Sequence, residues 1–170
     1  MVHEHRHALT RYAVRRLTDH SAAEDLVAET FVVAFRRHDS WPPRHEEIFW
    51  LYAIARRVLA NQLRTQTRSL RLESRLAFER ECELDEPRFD EADLAALMSA
   101  LGSLDPDDRE LLQLAYWEQL DYRGLGLVFG CSAKAAGVRL SRLRATLREM
   151  LHDTPDGVIS IDRQHKENLK

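Results

Sequence analysis

Apolar residues recur along this chain at intervals of three and four and never in sustained alternation, which predicts helices throughout and no sheet. The spacing predicts a first helix over His3 to about Leu17, with Leu9, Ala13 and Leu17 on its inner stripe. Ser21-Ala22-Ala23-Glu24 has the form of a capping box, a hydroxyl acceptor followed three residues later by a carboxylate, so a second helix is expected to start there. In it Leu26, Val27, Thr30, Phe31 and Ala34 share one side, leaving Asp25, Glu29, Val32 and Arg36 on another. Trp41-Pro42-Pro43 ends the element, because neither proline can donate to a helical ladder and each restricts its predecessor. A third helix is expected from about Glu46 to Gln66, with Ile48, Leu51, Tyr52, Ala55, Leu59 and Leu63 inward. Trp50, Arg57, Asn61 and Arg64 line up on its opposite face. Two readings stay open there: a surface for phosphates and bases, or a core tryptophan beside solvated arginines.

From about Thr67 to Glu91 the apolar stripe is lost, Pro87 intervenes, and the charge changes from basic to acidic, which reads as a linker. Four shorter helices are predicted beyond it, at Asp93 to Ala100, Pro106 to Trp117, Tyr122 to Phe129 and Ala133 to Leu151. Asp105-Pro106 starts one of them, an N-cap acceptor followed by proline at the first helical position. The last two form a helix-turn-helix. Gly130 supplies the left-handed residue that ends the first, Ser132 caps the second, and Gly126 offers the small contact that crossing helices need. Ala136, Leu140, Leu143, Leu147 and Leu151 make a continuous apolar stripe on the last helix, so Lys134, Val138, Ser141, Ala145 and Arg148 are presented outward, with Arg139 and Arg142 on the flanks. A helix of this kind fits the major groove of DNA, where Arg or Lys reads guanine and other cations anchor phosphates.

A net charge of −3 at first counts against a nucleic-acid binder, whose affinity comes largely from cations that neutralise phosphates. Its distribution reverses that conclusion. Arg56, Arg57, Arg64, Arg68, Arg71 and Arg75 crowd one stretch and Arg139, Arg142, Arg144 and Arg148 another, while an acidic block from Glu79 to Asp93 lies between and masks them in the total. No apolar run approaches the roughly 20 residues that a membrane-spanning helix needs, and the first residues lack a secretory core, so a cytoplasmic protein with no membrane partner is expected. Cys82 and Cys131 stand far apart and read as ordinary thiols. His3, His5 and His7 put only His3 and His7 on one helical face, which is too little for a metal site, and no set of nucleophile, acid and base points to an enzyme. No cofactor and no metal is therefore expected.

The order of these features resembles the extracytoplasmic-function sigma factors of bacterial RNA polymerase, within the sigma-70 family. AEDLVAETFVVAFRR at Ala23 to Arg37 is similar to that family's polymerase-docking helix, and FWLYAIARRVLANQLR at Phe49 to Arg64 to the helix that engages and opens the minus-ten promoter element. The stretch from Ala100 to Arg144 resembles the region that reads the minus-thirty-five element. The resemblance implies an all-α chain of two small helical domains joined by a linker: a docking and minus-ten domain over 1–66, an acidic linker over 67–91, a helix-turn-helix domain over 92–152, and a tail over 153–170. It implies core RNA polymerase and promoter DNA as partners, with an anti-sigma factor as a further one. Carried over residue by residue, it assigns polymerase contact to Asp25, Leu26, Glu29 and Val32, and DNA contact to Trp50, Arg56, Arg57, Asn61, Arg64, Ser132, Lys134, Val138, Arg139, Ser141 and Arg142. Of the docking set, Leu26, like Phe31, suits a core position better than an exposed one. This chain departs from the family's pattern at Arg57, Asn61, Arg123, Gly124, Gly137 and Val138, so the promoter sequence is not implied.

Two other classes fit the bare pattern. A dimeric helix-turn-helix regulator would bind a palindromic site without polymerase. A helical protein that sequesters another factor would use its basic clusters only as solubilising surface.

Overall fold

The computed structural model describes residues 2–69 and 91–152, which belong to two compact units. Among the described residues every regular element is helical. Residues 70–90, which carry most of the expected acidic linker together with Cys82, lie outside the described residues, as does the tail from residue 153.

The first unit consists of α1 (Val2–Val14), α2 (His20–Arg36) and α3 (Glu47–Ser69), each packed on the other two. Leu9, Tyr12 and Ala13 of α1 meet Leu26, Phe31 and Ala34 of α2 and Leu51, Tyr52, Ala55 and Leu59 of α3 in one core. Tyr12 and Tyr52 lie with ring centroids 5.4 Å apart. Thr30 is fully buried, and its hydroxyl is satisfied by donating to the Leu26 carbonyl at 2.7 Å.

Three expectations are corrected here. The first helix stops at Val14, and the chain turns through Arg16 and Leu17, whose amides both bond to the Ala13 carbonyl. The N-cap of α2 is Asp19, which accepts from the Ser21 amide at 3.1 Å. A carboxylate both accepts and complements the positive end of the helix, and it displaces Ser21 into the first turn. Leu63 is exposed, because each four-residue step advances roughly 40° beyond a full turn and three steps from Leu51 carry the position roughly 120° round the helix. Ile54 and Val58 fill the core instead.

The second unit consists of α4 (Glu91–Ser103), α5 (Pro106–Tyr116), α6 (Tyr122–Phe129) and α7 (Ala133–His152). Asp105 caps α5 by accepting from the Asp107 amide at 2.9 Å, and Asp121 caps α6 through the Gly124 amide at 2.7 Å. Arg109 folds back on the end of α4, donating to the carbonyls of Leu101, Gly102 and Leu104 at 2.9, 2.8 and 3.3 Å. It satisfies acceptors that the helix itself leaves open. Gln119 holds a left-handed backbone, φ 54°, in the reversal before α6.

α7 carries the unit, packing on α4, α5 and α6. Ala136, Leu140, Leu143, Leu147 and Leu151 are all buried along it, each leucine contributing about 1.5–3 kcal/mol relative to exposure. Gly130 takes φ 69° as the cap of α6, and Ser132 Oγ accepts from the Ala135 amide at 3.1 Å to start α7. Gly126 is needed for close approach, since a Cβ there would lie 2.7 Å from the Cys131 carbonyl oxygen and 3.1 Å from the Ala133 nitrogen. At Gly137 a Cβ would meet the Tyr122 ring at an ordinary 3.4 Å. Gly126→Ala should therefore destabilise the fold by about 1–3 kcal/mol through overpacking, and Gly137→Ala should stabilise it by up to about 1 kcal/mol through helix propensity. Denaturant unfolding of the full chain measures both, and opposite signs are expected.

Candidate nucleic-acid interface

The leucine stripe of α7 fixes what the helix shows to solvent. Lys134, Val138, Ser141, Arg142, Ala145 and Arg148 are exposed. The two flanking arginines differ. Arg142 is open to solvent, whereas Arg139 is tied back, its Nε donating to Asp108 Oδ1 at 2.7 Å and its guanidinium lying 5.6 Å from the Phe129 ring centroid. Arg144, on the inner edge, donates from Nε to the Tyr116 hydroxyl at 2.8 Å and so buttresses α7 against α5. Ser132 is exposed at the N-terminus of α7, but its hydroxyl is engaged as the cap. The outer face thus combines cations, a hydroxyl and the apolar Val138, a mixture that can read base edges and grip phosphates.

On α3 the outward stripe is Trp50, Arg57, Asn61 and Arg64, with Arg56 half-buried at its margin. Trp50 is neither a core residue nor a lone surface ring. It packs on Trp41 with ring centroids 5.3 Å apart, and Trp41 in turn meets Phe35 of α2 at 6.3 Å. Trp41 sits in the proline segment, between 3-10 turns at His38–Ser40 and Arg44–Glu46. Sequence reasoning missed what fixes it: its indole N–H donates to Glu47 Oε1 at 3.2 Å, while His5 Nε2 meets Glu47 Oε2 at 3.1 Å. Glu47 is 8% exposed. Its carboxyl is held below the ordinary value of 4.5, first by the Trp41 bond, against the opposing effect of burial, and then by the bond and charge of His5. Partners 6 and 42 residues away leave no periodic trace, so the sequence carries no signal for this node. His5, with Glu4 and Glu47, also forms the described grouping of possible metal-ligand atoms, all within 4.8 Å of one another, although both Glu47 oxygens already have hydrogen-bond partners.

The outer face of α2 shows Asp25, Glu29 and Val32, with Phe35 more than half exposed beyond them. Glu29 accepts from Gln62 of α3 at 3.4 Å. Leu26 is corrected: at 1% exposed it is a core residue, and its contribution is to hold α2 in place.

Two family descriptions match this chain in order, Sigma-70 region 2 over residues 1–69 and Sigma-70, region 4 over residues 94–147. It is 31% identical over 140 residues to the ECF RNA polymerase sigma factor SigC of Mycobacterium tuberculosis, which covers 79% of this chain and 72% of that one. The chain belongs to the extracytoplasmic-function sigma factors. This sigma factor is also 29% identical over 162 residues to the RNA polymerase sigma-E factor of Streptomyces avermitilis, covering 94% of its own length and 88% of its relative's. Among solved structures it is similar to the sigma factor RpoE from Bartonella quintana, determined in complex with the anti-sigma factor NepR, at a TM-score of 0.55 and 28% identity over 86% of this chain and 91% of that one. Its family places it in transcription with RNA polymerase, and sigma factors are not enzymes. Among the described residues no helix is long and apolar enough to cross a membrane.

The depressed Glu47 carboxyl makes the first unit sensitive to acid. The carboxylate's contribution is present in full above its unfolded value and is lost as pH falls through the lower folded one. Urea unfolding of the sigma factor at stepped pH below 4.5 should show that loss, and Glu47→Gln, which does not titrate, should flatten it.

Proposed function

We propose that this sigma factor docks on core RNA polymerase through the outer face of α2, engages and opens promoter DNA at the minus-ten element with the outer face of α3, and reads the minus-thirty-five element with α7. The observation that carries the reading is a pairing of surfaces with matches. Each proposed face is the outer stripe of a helix whose other side is core, with Trp50, Arg56 and Arg139 half-buried on it, and each lies within a matched region, Asp25, Glu29, Val32, Trp50, Arg56, Arg57, Asn61 and Arg64 in region 2 and Ser132, Lys134, Val138, Arg139, Ser141 and Arg142 in region 4. In this reading residues 1–66 are the docking and minus-ten domain, 67–91 the linker, 92–152 the minus-thirty-five domain and 153–170 a tail.

Each domain is small and its DNA contacts are weak alone. Held at a fixed spacing on polymerase, the two contacts combine as one bivalent ligand. Within α7, Arg142 is the stronger candidate for a base or phosphate, because Arg139 is restrained by Asp108. An anti-sigma factor is the regulator that suits this reading, as in the complex of the similar RpoE with NepR.

Reconstituted transcription tests the proposal. Purified chain mixed with core polymerase should initiate from a subset of a promoter library, and initiation from none, with active polymerase, would overturn it. Arg142→Glu should weaken use of the upstream element by about tenfold or more while leaving polymerase affinity nearly intact, as compared by promoter titration and pull-down. Reversing charge at Asp25 and Glu29 together should do the opposite, lowering affinity for core polymerase by about tenfold or more with the fold unchanged by circular dichroism.

A further inference from the structure

Three elements of the first unit converge on one carboxylate. Glu47 opens α3, His5 comes from α1, and Trp41 comes from the proline segment between α2 and α3. Glu47 is buried, and one of its oxygens faces each partner, 3.2 Å from the Trp41 indole nitrogen and 3.1 Å from His5 Nε2. In the tautomer or charge state that carries a proton on Nε2, His5 donates as well. At the rim, Arg44 of the same segment reaches Glu4 of α1 at 3.5 Å, a mostly solvated pair that adds little. The segment containing Pro42 and Pro43 has only short 3-10 turns. The indole N–H bond to Glu47 gives the Trp41 ring a directional polar anchor beside its packing on Phe35 and Trp50.

The fixed ring matters because of what it supports. Trp41 lies between Phe35 and Trp50, at 6.3 and 5.3 Å, tilted by 41° and 53°. Trp50 heads the outward stripe of α3 that continues through Arg57, Asn61 and Arg64. A buried anion therefore orients an indole, and the indole sets the side of the ring that stands beside the cationic stripe.

We propose that Glu47 is a positioning residue for strand opening, holding Trp41 by its indole N–H and, through the ring packing, holding Trp50 in the orientation that meets an unstacked base. This inference rests on the promoter-opening role proposed above. Glu47 touches no DNA in it; the effect passes through Trp41. Its magnitude follows from the cost of leaving a donor without its charged acceptor, about tenfold in an equilibrium.

The test uses the full chain with core polymerase on two templates, a duplex promoter and the same promoter with the minus-ten segment opened in advance by mismatches. Three variants separate the roles. Glu47→Leu removes both bonds, Trp41→Phe keeps a ring for packing but loses the donor, and Glu47→Gln keeps an acceptor for the indole. Glu47→Leu and Trp41→Phe should each lose about tenfold in initiation from the duplex, recover on the opened template, and keep their affinity for polymerase. Glu47→Gln should restore most of the duplex activity. Near-ultraviolet circular dichroism of the Trp41–Trp50 pair should change in Glu47→Leu and return toward native in Glu47→Gln. Equal activity of Glu47→Leu and the native chain on duplex overturns the inference, and so does an equal loss on both templates, which marks a merely structural role. If Glu47→Leu fails to fold, Trp41→Phe decides: native-like duplex activity overturns the inference, and duplex-selective loss supports it. Failure of the promoter-opening reading looks different, since Trp50→Ala, which removes the proposed base contact itself, would then lose no more on the duplex than on the opened template.

Discussion

A helix buried along one stripe is obliged to present the other, and both units of this sigma factor rest on that constraint. In α7 the stripe from Ala136 to Leu151 is sealed against three neighbouring helices, which leaves no choice about where Lys134, Ser141 and Arg142 point. In α2 the burial of Leu26, Thr30, Phe31 and Ala34 turns Asp25, Glu29 and Val32 outward in the same way. The faces proposed to be functional are by-products of packing: no separate interaction has to aim them. Disturbing a core leucine would rotate or loosen an entire contact surface, which is why Leu26 belongs with the scaffold although it neighbours a docking candidate.

Periodicity made most of this legible from the chain alone. The bounds of α6, the left-handed Gly130, the close approach at Gly126 and the complete stripe of α7 all follow from residue type at a given spacing, because each is a local requirement on backbone or face. Errors arose where a local rule had competitors. Ser21 fits a capping box, yet Asp19 lies two residues earlier with a charge that suits the helix end better. Leu63 continues a four-residue rhythm, but that rhythm outruns the 3.6-residue turn of the helix and leaves the core side.

What was not legible is long-range and polar. The meeting of His5, Trp41 and Glu47 depends on how α1 and the proline segment come to rest against the start of α3, and no spacing encodes it. Neither does any spacing show that Arg139 spends its Nε on Asp108, or that Arg144 braces Tyr116, which sets these two apart from the exposed Arg142 and Arg148. The open question about Trp50, surface or core, has an intermediate answer. It is a rim residue whose exposure on one side depends on ring packing on the other.

The corner between α4 and α5 has a mechanical consequence of its own. Gly102 and the residues round it would ordinarily make a supple joint, but the Arg109 guanidinium, from the first turn of α5, grips the carbonyls of Leu101 and Gly102 at the end of α4 and of Leu104 just beyond it. The joint behaves as a welded bracket. Because α4 and α5 both lean on α7, a rigid bracket behind that helix lets a push on its outer face travel as displacement of the whole unit, with little of it absorbed as bending.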